Sequence, residues 1–137
     1  MDEFEQLINE GNLAYKKDDY NKAVICYEDA LKLVTDGNKS KFKSILPMMG
    51  RCYRQIGNPS SVIDLATEVK QKFGQKFINS AFLTTIAAAY ADMREYGKAH
   101  ICVNEAIRLE NGKISGPLQA VIDRIENKLP CTKSAEF

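Results

Sequence analysis

Apolar residues along this chain recur at spacings of three and four, the period of helices with one buried face. Phe4, Leu7, Ile8, Gly11 and Ala14 form the first stripe and predict a helix over about 3–16, with Asp2 and Glu3 at its positive end. Lys17-Asp18-Asp19 interrupts it and offers a carboxylate cap to a second helix. That helix carries Ala23, Val24, Tyr27, Ala30, Leu31 and Val34, and Gly37 is expected to stop it in a left-handed turn. Ile45, Leu46, Met49, Cys52 and Tyr53 define a third helix ending near Gly57. Pro47 lacks a backbone N–H and is tolerated best in a first turn, so the expected start is near Phe42 or Lys43.

Asn58-Pro59-Ser60 opens a fourth helix with Val62, Ile63, Leu65, Ala66 and Val69 on its apolar face and Gly74 beyond its end. The fifth, about 77–93, contains Ala81-Phe82-Leu83 and Ile86-Ala87-Ala88-Ala89-Tyr90 and should be the most enclosed. The sixth runs from Glu95-Tyr96 through Leu109, where Asn111-Gly112 stops it. A seventh begins around Gly116-Pro117, with Leu118, Val121, Ile122, Ile125 and Leu129 on one stripe. The pattern predicts an all-α chain of about seven helices.

Three segments repeat one arrangement. Gly11-Asn12-Leu13-Ala14-Tyr15 leads to Asp19-Tyr20-Asn21-Lys22-Ala23, Tyr27 and Ala30-Leu31. Gly50-Arg51-Cys52-Tyr53 leads to Ile56-Gly57-Asn58, Val62-Ile63 and Ala66. Ala87-Ala88-Ala89-Tyr90 leads to Glu95-Tyr96-Gly97-Lys98-Ala99, Val103 and Ala106-Ile107. Each sets small residues and aromatics where two antiparallel helices must touch. This resembles the tetratricopeptide repeat, a helix–turn–helix unit of about 34 residues. The resemblance spans about 3–129, with repeats at about 3–37, 42–74 and 77–111 and a capping helix at about 116–129. The second repeat is degenerate, with Pro59 where the family usually has an aromatic and Val62 where it usually has Ala.

The resemblance implies a right-handed superhelical stack of antiparallel helix pairs, folded as a single domain over 1–130, and the short, polar tail over 131–137 is expected to be disordered. It also implies non-catalytic work: a protein–protein interaction module or adaptor that takes a peptide segment or helix in a concave groove. First helices of the pairs line that groove in the family. The implied partner-binding residues are Asn12, Tyr15 and Lys16, then Arg51, Arg54 and Gln55, then Thr84 and Ala88. Ile8, Pro47 and Ala91 are also expected to turn outward there. Asn12 can donate to and accept from a peptide backbone, and Arg51 with Arg54 could hold a carboxylate. The small residues Thr84, Ala88 and Ala91 either floor the groove or are small because neighbouring helices crowd them. A chaperone-tail carboxylate clamp is not expected. Asn12 matches its first Asn, but Ile8, Met48, Ala81 and Thr85 stand at its other positions.

Composition changes this picture little. The 137 residues are 45% hydrophobic and 27% charged, with a net charge of +1, so no blanket attraction to nucleic acid or acidic membrane follows. The charge is unevenly distributed. Residues 1–37 hold four Lys/Arg against nine Asp/Glu, and residues 38–76 hold eight against two. An acidic partner at the middle of the chain fits this asymmetry, and so does self-association. RNA binding through Arg51, Arg54 and the Lys39–Lys43 strip is the other alternative.

Cys26, Cys52, Cys102 and Cys131 form no Cys-x-x-Cys pair, and the first three fall among apolar neighbours, as buried free thiols do. The first residues, Met-Asp-Glu-Phe-Glu, do not resemble a secretory leader, and no apolar run reaches the roughly 18 residues of a spanning helix. A cytoplasmic protein is therefore expected. His100 is the one histidine and no glycine-rich phosphate loop occurs, so neither a metal, a cofactor nor a catalytic pair is expected.

Overall fold

The computed structural model describes residues 2–128. Among them the chain is all-α, with seven α-helices, one short 3-10 turn at Gln75–Phe77 and no strand. It divides into two compact units, Met1–Asn58 and Pro59–Phe137. The first holds α1 (Glu3–Lys16), α2 (Tyr20–Leu31) and α3 (Lys39–Gln55). The second holds α4 (Ser60–Phe73), α5 (Ser80–Asp92), α6 (Tyr96–Leu109) and α7 (Gly116–Asn127). The segment expected as the second repeat is split by this boundary, since α3 belongs to the first unit and α4 to the second.

In the first unit, α1 packs on α2 and α2 on α3. Asp2 caps α1 by accepting from the Glu5 N–H at 2.8 Å, and Asp19 caps α2 from the Lys22 N–H at 3.2 Å. Each satisfies an amide that a helix start leaves without an internal partner. The α1–α2 contact centres on Gly11. A Cβ built there would stand 2.5 Å from Tyr27 Cε1 and 2.8 Å from its Cδ1, so only glycine admits the ring. Tyr27 is fully buried, and its hydroxyl donates to Asn12 Oδ1 at 2.7 Å. On the other side of α2, the Tyr53 hydroxyl donates to Glu28 Oε2 at 2.5 Å and ties α3 to it.

Three boundaries differ from expectation, one of them in the second unit, where the helix expected over about 77–93 starts at Ser80 after the 3-10 turn at Gln75–Phe77. The second helix ends at Leu31, and Gly37 is not left-handed, because Asn38 closes the connection instead. Its side chain accepts from the Thr35 N–H at 2.7 Å and donates to the Leu33 carbonyl at 3.2 Å. That turn feeds directly into α3, which starts at Lys39 rather than near Phe42, leaving Pro47 inside the helix. Pro47 removes one ladder donor there. The buried stripe Phe42, Ile45, Leu46 and Met49 runs through the site and holds the helix together.

In the second unit, α5 packs on α4, α6 and α7. Asn79 caps α5 through the Phe82 N–H at 2.9 Å, and Ser115 caps α7 through the Leu118 N–H at 3.2 Å. Gly74 stops α4 with φ 94°, a backbone conformation that L side chains rarely adopt. The expected burial of α5 is observed: Phe82, Leu83, Ile86, Ala87, Ala88, Ala89 and Ala91 are all enclosed. Helix α7 covers α5 and α6 with Leu118 and Val121. Its Arg124 donates to Asp92 Oδ1 of α5 at 2.9 Å, with the two side chains only 22% and 14% exposed. The expected apolar position Leu129 and the tail 131–137 lie outside the described residues.

Two measurements check this packing. Gly11→Ala gains about 1 kcal/mol of helix propensity but forces Tyr27 to move, so urea melts should show a net loss of about 1–3 kcal/mol. Gly97→Ala meets no atom within 4 Å and should be neutral or stabilising by up to about 1 kcal/mol. Deleting the chain from Ser115 onward uncovers the apolar side of α6 and leaves Asp92 without Arg124. The shortened protein should aggregate or melt many degrees lower, and an equally stable monomer would contradict the role given to α7.

Candidate binding surfaces

Six of the eight residues proposed from sequence fall in the first unit. Asn12, Tyr15 and Lys16 come from α1, and Arg51, Arg54 and Gln55 from α3. An ion pair between Lys41 of α3 and Glu5 of α1 links these two helices, each of which packs on α2. Near the end of α1, Tyr15 meets Tyr20 of α2 edge to face, with ring centroids 5.9 Å apart and planes at 81°. The Tyr20 hydroxyl donates to Asp18 Oδ1 at 3.0 Å. That hydrogen bond raises the Tyr20 pKa above the usual phenol range, while the Arg51 guanidinium nearby acts in the opposite direction. Lys16, Arg51 and Gln55 are exposed; Tyr15 and Arg54 are half-exposed, and Arg54 takes part in an interaction within the protein.

The structure thus gathers two aromatic rings and the Arg51 cation into one cluster. Tyr20 was not among the residues chosen from sequence. It opens α2 just after the turn that follows Tyr15, and an aromatic on each side of a short turn was the available signal. Asn12 is spent differently from expectation, since its carbonyl oxygen serves the buried Tyr27 hydroxyl. Ile8, expected to face outward, is fully buried. The basic strip is partly neutralised within the fold: Lys39 pairs with Asp36 at 3.5 Å, and Lys41 with Glu5.

The remaining two residues belong to the second unit. Thr84 is half-exposed, and its hydroxyl donates back to the Ser80 carbonyl at 2.9 Å. Ala88 is only 4% exposed and Ala91 is likewise buried, which departs from an open groove floor. Of the two explanations for these small side chains, crowding by neighbouring helices is the one that fits α5, which is covered from three sides.

No group of three or more His, Cys, Asp or Glu side chains among the described residues is placed to hold a metal ion. No helix among them is long and apolar enough to cross a membrane. Cys26, Cys52 and Cys102 are free thiols, the first two buried and the third half-buried. Burial raises all three, and it pushes Cys52 up to about 11 despite the adjacent Arg51 charge. Cys131 lies outside the described residues.

The family model of the tetratricopeptide repeat matches residues 4–36, the span of α1, α2 and the turns around them. The resemblance to that family therefore holds on the first helix pair, where Gly11 meets Tyr27 across the interhelical contact and Ala30 is buried. No curated protein and no solved structure matches the chain. A tetratricopeptide repeat supports a protein–protein interaction module in general, and the family is generally non-catalytic.

The thiols give a test of the packing. Cys52 is 0% exposed and its thiolate is disfavoured by burial, so alkylation of the native protein near pH 8 should be slowest there. The sign of the pH effect follows from the raised value. Between about 9 and about 11 the folded state keeps a proton that the unfolded state has lost. Stability should therefore decline as pH rises through that window, which urea melts at pH 8 and pH 10.5 can measure. Fast labelling of Cys52 at pH 8 would show that the α3 packing opens readily.

Proposed function

We propose that the protein is a non-catalytic adaptor that binds a peptide segment or helix of another protein on the α1–α3 surface of its first unit. The observation that carries this reading is the repeat match over α1 and α2, on whose edge the Tyr15–Tyr20–Arg51 cluster sits. Tyrosines supply flat contact area at low conformational cost, and arginine supplies bidentate hydrogen bonding to carboxylates. Lys16 and Gln55 are exposed near the ends of α1 and α3, and Arg54 shares α3 with Arg51. An acidic segment is the partner chemistry this surface favours. Asn12 contributes by holding Tyr27, and so the shape of α1 against α2, more than by meeting the partner directly. Thr84 is a further candidate contact on the second unit by itself.

The test is a pull-down from native cell extract with the wild type and with the Lys16→Glu/Arg51→Glu double variant, followed by calorimetry with the protein recovered. Both positions are exposed, so circular dichroism and the melting curve should be unchanged. Affinity should fall by about tenfold or more, because the substitutions turn attraction into repulsion. Full-strength binding by the folded variant would remove the α1–α3 surface from the proposal.

A further inference from the structure

The second unit contains a groove that the first surface does not use. Helix α4 presents Ile63, Ala66, Thr67 and Lys70 toward it, spaced as one face of a helix. Leu83, Ile86 and Tyr90 of α5 form the opposite wall with the same kind of spacing. Ile78 and Gln75, from the turn that joins the helices, close one end. The volume is about 180 Å³. An enclosed apolar cavity of about 150 Å³ accepts benzene; this groove is of similar size but open to solvent, so it can receive one aromatic or branched aliphatic side chain from outside.

Charge marks one end. Lys70 stands on the groove wall in the last turn of α4, beside Gln75. The other charges of α4 are turned from that stripe. Glu68 is held by Lys72 at 2.9 Å, and Asp64 lies about one residue's rotation away from Ile63. Across the groove, α5 carries one carboxylate, Asp92, which is engaged by Arg124, and the phenol of Tyr90, over whose ring Lys98 of α6 stands 5.9 Å from the centroid while pairing with Glu95 at 3.0 Å. Thr67 turns its hydroxyl back to the Ile63 carbonyl at 3.0 Å, so the middle of the groove presents its methyl. The result is a largely apolar slot with the unmatched Lys70 charge at one end and the mutually paired Lys98 and Glu95 near the other.

We infer that this α4–α5 groove is a docking pocket for one apolar anchor side chain of an acidic protein segment, with a carboxylate next to the anchor meeting Lys70. The inference rests on the chain being a protein-binding module but not on the α1–α3 surface, and the two are separable by experiment. The anchor supplies affinity by displacing water from Ile63, Ala66 and Leu83, while Lys70 sets orientation and the sign of the charge accepted.

The probes are three capped tripeptide amides: acetyl-Glu-Phe-Glu, acetyl-Lys-Phe-Lys and acetyl-Glu-Gly-Glu. Each is titrated into the full chain carrying labelled Ile and Leu methyl groups, and read by two-dimensional NMR. The Glu-Phe-Glu peptide should shift the methyls of Ile63, Ile78, Leu83 and Ile86, with at least about tenfold tighter binding than either other peptide. Lys70→Glu, an exposed substitution, should reverse the preference between the acidic and basic phenylalanine peptides. Ala66→Leu should fill the slot and weaken binding of both. The Lys16→Glu/Arg51→Glu variant should bind Glu-Phe-Glu as the wild type does. Equal binding of the acidic and basic peptides, no effect of Lys70→Glu, or shifts centred on Ile122 and Ile125 instead would overturn the inference. Loss of Glu-Phe-Glu binding in the Lys16→Glu/Arg51→Glu variant would also overturn it, while leaving the α1–α3 proposal standing.

Discussion

The close approach of Gly11 to Tyr27 is the contact on which the first helix pair depends. A buried tyrosine brings a large apolar surface into the core, but its hydroxyl needs an acceptor and its ring needs room. Gly11 gives the room by having no Cβ, and Asn12, one residue on, gives the acceptor. A single turn of α1 thus meets both demands of one side chain on α2. The second unit solves the same packing with other sizes. There Ala87 and Val103 occupy the equivalent positions in α5 and α6, and both are buried. Alanine in place of glycine and valine in place of tyrosine trade volume on one helix for volume on the other, as close-packed interiors require.

The same correspondence shows what the two second helices share on both their buried and their exposed sides. Tyr20, Lys22, Ala23, Ile25 and Cys26 of α2 recur as Tyr96, Lys98, Ala99, Ile101 and Cys102 of α6. Ile25 and Ile101 are 58% and 69% exposed, while the alanines are fully buried. Charges are mostly settled within each unit. Lys41 with Glu5 and Arg124 with Asp92 join different helices, whereas Lys32 with Asp29 and Lys72 with Glu68 stay on one helix. Exposed pairs of the second kind contribute at most about 1 kcal/mol each, so helix packing rather than charge carries the stability. The half-buried Asp92–Arg124 pair is different, because either group left alone would be a poorly solvated charge.

Proposed recognition is divided accordingly. The first unit offers rings and cations on an open surface, where Tyr15, Tyr20 and Arg51 meet. The second unit offers an apolar slot with Lys70 at its end. Both arrangements favour acidic partners, which agrees with eight Lys/Arg against two Asp/Glu in residues 38–76. Neither uses the thiols, whose raised pKa values follow from enclosure and leave them poor nucleophiles.

Helix periodicity, caps and small-residue spacing are local properties, so the sequence by itself determined the seven helices and the helix pair around Gly11 and Tyr27. Asp2, Asp19, Asn79 and Ser115 act where they stand, and Gly74 ends its helix through its own φ. The start of α3 was not legible, because Pro47 argues locally for a later start while the buried stripe of Phe42 to Met49 and the Asn38 turn override it. The sites were less legible still. Whether Ala88 floors a groove or fills a core depends on what stands opposite, and only the packing of α5 decided for burial. Asn12 was expected to meet a partner's backbone, and only the packing of α2 on α1 brings the Tyr27 hydroxyl to its carbonyl oxygen. The Tyr15–Tyr20 pair and the α4–α5 slot join residues from different helices, and no spacing along one helix encodes which faces will meet.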